Sequence, residues 1–209
     1  MSEAPIRLLL ADDQAMVRGA LAAMLDLEPD LTVVAQLGDG TGVARAVVEH
    51  EVDVALLDIE MPGLDGIEAT RAVQEAAAAA GRTCRCLIVT TFGRPGYLRR
   101  AMEAGASGFV VKDTPAEQLA DAVRTVHAGG RVMDPALAQE SLVTGSNPLT
   151  ERERDVLRVA QDGSSVRAIA AALSLSPGTV RNHLSPGIAK THTSNRAEAA
   201  LAARERGWL

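Results

Sequence analysis

Short apolar runs alternate with amphipathic stretches five times between Ile6 and Ala128. The runs Ile6–Ala11, Leu31–Gln36, Val54–Leu57, Cys84–Thr90 and Gly108–Val111 have the length and continuity of strands buried on both faces. Between and after them, Ala15–Leu25, Gly42–Glu49, Gly66–Ala80, Gly96–Ala104 and Ala116–Ala128 carry helical periodicity. The pattern predicts an α/β fold, a doubly wound five-stranded parallel sheet with helices on both faces. Gly129-Gly130 stops the fifth helix, and residues 131–147 read as connecting chain.

Past that point the strand pattern ceases, and four short helical patterns predict a small all-α unit: Thr150–Asp162, Ser165–Leu173, Ser176 onward and Asn195–Arg206. Thr150 and Glu153 have the spacing of a capping box, and Ser176-Pro177 that of an N-cap followed by proline in the first turn. The domain expectation is therefore 1–128, a linker at 129–147, and 148–209. Val166–Leu173, a turn at Ser174–Leu175 and Ser176–Ile188 match a helix-turn-helix. Charge sharpens the division: residues 148–209 carry a net +3 within a chain of net −6, so the acidic excess lies wholly in the first part. Only the second part is suited to a polyanion. Pro186-Gly187, inside the second helix of the motif, is expected to kink or end it, since proline lacks the N–H owed to the Asn182 carbonyl.

No apolar stretch approaches the ~20 residues that span a bilayer. Met1-Ser2-Glu3-Ala4-Pro5 has neither the basic nor the apolar region of a secretory leader, so a cytoplasmic protein is expected. Cys84 and Cys86 fall on one strand face as core residues, two ligands being too few for a closed zinc site. The four histidines are dispersed, with no ligand spacing among them.

Candidate chemistry gathers at the carboxyl ends of the strands. In an open α/β sheet these ends converge on one crevice. Asp12 and Asp13 follow the first strand, Asp58 the third, Thr90 closes the fourth and Lys112 follows the fifth. Three carboxylates, a hydroxyl and an ammonium suit Mg²⁺ and a phosphoryl group: the cation takes oxygen ligands, and aspartate can accept phosphorus covalently. Asp58, on the most central strand, is best placed as the nucleophile. Asp12 and Asp13 would hold the cation, Lys112 would neutralise a phosphoryl oxygen, and Thr90 would hydrogen-bond another.

In the carboxy-terminal part, the N-terminal half of the motif's second helix should enter the major groove. Thr179, Arg181, Asn182 and Ser185 are expected to face outward there, with Val180, Leu184 and Ile188 inward. Arg181 suits guanine and Asn182 adenine. Thr179, Lys190 and Arg196 are candidate phosphate contacts.

Leu8-Leu9-Leu10-Ala11-Asp12-Asp13, Leu57-Asp58-Ile59-Glu60-Met61-Pro62-Gly63-Leu64-Asp65-Gly66, Val89-Thr90 and Gly105–Lys112 resemble a two-component receiver domain. Residues from Leu149 onward resemble the LuxR-type helix-turn-helix of NarL/FixJ-type response regulators. Val180–Ser185 and the Arg206–Leu209 ending are closest to a DesR-like subgroup. The resemblance implies a flavodoxin-like receiver phosphorylated on Asp58 by a sensor histidine kinase. It also implies Mg²⁺ held by Asp13, Asp58 and the main-chain carbonyl of Glu60, with Asp12 assisting through water. Phe109 falls where the family places the aromatic switch partner of Thr90. A homodimer formed on phosphorylation would bind double-stranded promoter DNA, and the only catalysis would be the protein's own phosphorylation and dephosphorylation. Ala168, Pro186-Gly187 and His192 depart from the family's usual residues on and around the recognition helix. An aspartyl-phosphate phosphatase is the competing class, but it generally wants a second aspartate where Glu60 stands.

Overall fold

The structure is a computed structural model that describes residues 4–91, 93, 95–134, 138, 147–161 and 163–209. They fall into two compact units, an α/β unit and a smaller helical one. In the first, β1 (Ile6–Ala11), β2 (Leu31–Leu37), β3 (Val54–Leu57), β4 (Arg85–Thr90), β5 (Gly108–Val111) and β6 (Val132–Met133) form one parallel sheet, ordered β2-β1-β3-β4-β5-β6.

The interior strand β3 is buried at every residue and uniformly apolar, whereas the edge strand β2 is mostly half-buried and admits Thr32 and Gln36. Helices α1 (Ala15–Leu25) and α5 (Ala116–His127) cover one face, where Leu8, Leu10, Leu56, Leu87 and Val89 meet Leu25, Leu119, Val123 and Val126. The remaining helices of this unit are α2 (Val43–Glu49), α3 (Gly66–Ala79) and, from Leu98 on, α4 (Pro95–Glu103). Asp65 caps α3 through a reciprocal pair with Glu68, a capping box whose spacing is present in the sequence.

The sheet has six strands, not the five expected. The added one lies within the segment read as linker: Val132 pairs with Gly108 and Met133 with Phe109, and Val132 packs against the core. Two residues are too few for periodicity to register as a strand. Most of the remaining linker, 135–137 and 139–146, lies outside the described residues, as does Asp162, the expected end of the next helix.

The second unit comprises α6 (Glu151–Ala160), α7 (Val166–Ala172), α8 (Pro177–Thr191) and α9 (Arg196–Glu205). Thr150, Ser165, Ser176 and Asn195 each cap the helix that follows by accepting a main-chain N–H. Val156, Leu157, Ile169, Val180, Leu184, Ala199, Ala203 and Trp208 make its core.

Of the two expected outcomes at Pro186, a kink or an end, the helix does not end there: α8 runs through it to Thr191. Arg181, Asn182, Ser185 and Pro186 are all exposed, so water can reach the carbonyl that proline cannot serve. Gly187 is buried on the opposite side, where an added Cβ would come 3.3 Å from Leu157. The Thr191 hydroxyl then donates to the Gly187 and Ile188 carbonyls, securing the last turn. Packing and caps override a local propensity here. His192 ends the helix in the left-handed conformation, φ 56° and ψ 44°.

Candidate functional site

Asp12, Asp13 and Asp58 come together at the strand ends, with one oxygen from each carboxylate lying within 4.8 Å of the others. Main-chain order fixes their stations. The Asp58 N–H donates to the Ala11 carbonyl at 2.9 Å, extending the β1–β3 ladder one residue beyond the strands. The Asp12 N–H donates to the Leu37 carbonyl of β2. Asp12 and Asp58 are buried, whereas Asp13 is exposed at the mouth.

Lys112 follows β5 and reaches across the crevice. Its ammonium lies 2.7 Å from Asp12 Oδ2 and 3.2 Å from Asp58 Oδ2, with only 8% of its side chain exposed. Burial pushes the Asp58 carboxyl above its ordinary value, Lys112 pulls it back down, and the neighbouring Asp12 charge raises it further. Three carboxylates against one ammonium leave a net negative pocket of oxygen donors. This donor set fits a small divalent cation.

Thr90 is buried where β4 ends, and its carbonyl accepts the Lys112 N–H at 2.8 Å. Pairing of Thr90 with Val111 and of Ile88 with Phe109 puts Thr90 and Phe109 on the same sheet face. Phe109 is fully buried. Glu60 lies in the exposed turn after Asp58. That turn depends on two glycines. Gly63 adopts φ +79°, and a Cβ on Gly66 would sit 2.0 Å from the Asp58 carbonyl oxygen.

Supporting groups escaped the sequence reasoning. The Arg18 guanidinium donates to the Asp12 carbonyl, and the Gln14 N–H donates to Asp12 Oδ1 at 2.9 Å, so α1 ties down the acidic turn. An arginine one turn into a helix that follows paired aspartates was the available signal.

In the helical unit Arg181, Asn182 and Ser185 share the exposed side of α8, while Val180 and Leu184 are buried and Ile188 is half-buried against the core. Thr179 is half-buried and bonds the Ser176 hydroxyl. Arg196 is half-buried beside an open cavity of about 500 Å³ lined also by Arg181, Leu184, Ser185 and Ile188. Lys190, expected on phosphate, is tied instead to Glu153. Its ammonium sits 2.7 and 2.9 Å from the two carboxylate oxygens of that buried side chain. Among the described residues no helix is long and apolar enough to cross a membrane.

Residues 8–124 match the response regulator receiver domain family, and residues 147–203 match the bacterial regulatory proteins of the luxR family. The chain belongs to the two-component response regulators, as a receiver domain followed by a LuxR-type DNA-binding domain; its relatives are transcription regulators, not classical enzymes. It is 41% identical over 204 residues to the transcriptional regulatory protein DesR of Bacillus subtilis, spanning 98% of this chain and 99% of that one. Identity is 44% to the transcriptional regulatory protein YvfU of the same organism, over 98% of this chain and 100% of that one. The crystal structure of ChrA, a response regulator in a heme-sensing two-component system, is 36% identical and superposes with a TM-score of 0.57, covering 99% of this chain and all of that one.

Proposed function

We propose that this protein takes a phosphoryl group from a sensor histidine kinase onto Asp58 and, once phosphorylated, dimerises and binds promoter DNA. The observation that carries it is the convergence of Asp12, Asp13, Asp58 and Lys112 on one crevice. Asp12, Asp13 and Asp58, with the main-chain carbonyl of Glu60, are the groups that would hold Mg²⁺. When bound, that cation neutralises the clustered carboxylates and polarises the phosphoryl oxygens.

In the transfer a carboxylate oxygen of Asp58 forms the new P–O bond as the P–N bond to the kinase histidine breaks. The imidazole departs as the leaving group and takes up a proton. Lys112 favours the ionised nucleophile and then holds a phosphoryl oxygen. The Thr90 hydroxyl bonds another, and Phe109, buried on the same sheet face, repacks as Thr90 moves. The α/β unit, through β6, acts as receiver, and residues 148–209 as DNA-binding domain, in a cytoplasmic protein. On α8, Arg181, Asn182 and Ser185 meet base edges, while Thr179 and Arg196 contact the backbone. Lys190 is left out because Glu153 already holds it.

Acetyl phosphate with Mg²⁺ tests the acceptor. The wild-type chain should gain one phosphoryl group by intact mass, and Asp58→Ala none. Equal labelling of both would remove Asp58 from that role.

A further inference from the structure

Recognition of DNA by α8, as proposed above, assigns base-reading chemistry to Arg181, Asn182 and Ser185 but not to their apolar neighbours. Pro186 and Ala189 are exposed on the same helix. Pro186 follows Asn182 by four residues and precedes Ala189 by three, so the three side chains occupy one face. That is the face opposite buried Leu184, Gly187 and Thr191.

A proline inside a helix removes a hydrogen bond that alanine would supply. Here the surrounding structure tolerates the loss without needing it: the Ser176 cap and the buried face of Val180, Leu184, Gly187 and Thr191 hold the helix whatever residue stands at 186. Pro186 touches solvent and not the core, so packing gives no reason for it. A locally unfavourable residue without structural compensation marks a position set by function.

The chemistry on that face is restrictive. Arg181 only donates, while Asn182 and Ser185 both donate and accept. Pro186 and Ala189 side chains do neither, and they lose almost no side-chain entropy when covered. In the major groove the apolar group presented by the bases is the C5-methyl of thymine. We infer that Pro186, flanked by Ala189, is a specificity-determining residue that packs its ring against a thymine methyl one turn along the groove from the base met by Asn182.

The inference rests on the DNA-binding function proposed above, and the test separates the two. The full-length phosphorylated chain is used to select a duplex from a random-sequence pool. Each thymine of that duplex is then replaced in turn by deoxyuridine, which removes the methyl alone. One thymine per half-site should weaken wild-type binding about fourfold on replacement, the worth of one buried methyl-sized group. In Pro186→Gln, which restores the helix N–H and removes the apolar ring, the penalty at that thymine should fall at least twofold. Unfolding followed by Trp208 fluorescence confirms that this variant is folded. A Pro186→Gln chain that binds too weakly to titrate is replaced by Pro186→Ala, judged by the same criterion. The same deoxyuridine penalties in wild type and variant, or none in wild type, overturn the role of Pro186 while leaving DNA binding intact. A wild-type chain that enriches no sequence overturns the DNA-binding function itself.

Discussion

Removing the Lys190 ammonium should cost the helical domain more than neutralising the Glu153 carboxyl that it meets. The Glu153 side chain is 6% exposed and that of Lys190 33%. Glu153 accepts Lys190 at 2.7 and 2.9 Å and the Thr150 N–H at 2.7 Å, so one carboxylate both caps α6 and ties α6 to α8. In Lys190→Met the carboxylate stays buried with its cation gone, at a cost of about 3 kcal/mol. In Glu153→Gln the amide still accepts from Thr150 while Lys190 can turn to water, so the loss is about 1.5 kcal/mol. The double variant should be more stable than Lys190→Met alone.

The assay is urea unfolding followed by Trp208, the only tryptophan in the chain and part of this core. Acidification adds a second readout. Burial alone would raise the Glu153 carboxyl, but the bonds from Lys190 and Thr150 outweigh it and hold the group below the ordinary 4.5. A group held low contributes fully above its unfolded value and loses that contribution as pH falls through its folded one. Wild type and Glu153→Gln should therefore differ near neutrality and converge below about pH 4.5. Equal costs for the two single variants, together with a difference that does not change with pH, would refute this account of the pair.

Gly66→Ala should destabilise the receiver by about 3 kcal/mol and reduce labelling by acetyl phosphate, because the new methyl collides with the Asp58 carbonyl. An unchanged melting temperature by far-ultraviolet circular dichroism would contradict it. His192→Gly should stabilise the helical domain by about 1 kcal/mol in the Trp208 assay, since an exposed side chain is traded for relief of a left-handed backbone. Arg124 donates to Glu28, Asp30 and Asp121 at the surface, so Arg124→Ala should cost about 1 kcal/mol at low ionic strength and less at high salt. A loss independent of salt would assign its effect to packing.

The parallel sheet was legible because strands buried on both faces have an unmistakable composition, and β1, β3 and β5 begin and end where the apolar runs do. The strand-end rule alone places the three aspartates and Lys112 at one crevice. β6 escaped because pairing along β5, not its own pattern, makes Val132–Met133 a strand. The persistence of α8 through Pro186 escaped because the propensity of one residue is outweighed by contacts from α6 that lie far away in sequence. Lys190 read as a free basic residue, since its tie to Glu153 spans 37 positions. Arg18 left only a weak trace, its place one turn into α1, because its partner is a main-chain carbonyl.

Control of the carboxy-terminal domain by the acidic pocket is tested most directly by DNA affinity at one fixed salt concentration, with and without acetyl phosphate and Mg²⁺. Wild type should bind its selected duplex more tightly after phosphorylation, and Asp58→Ala should bind alike in both conditions. Full labelling of wild type with no change in affinity would contradict the coupling.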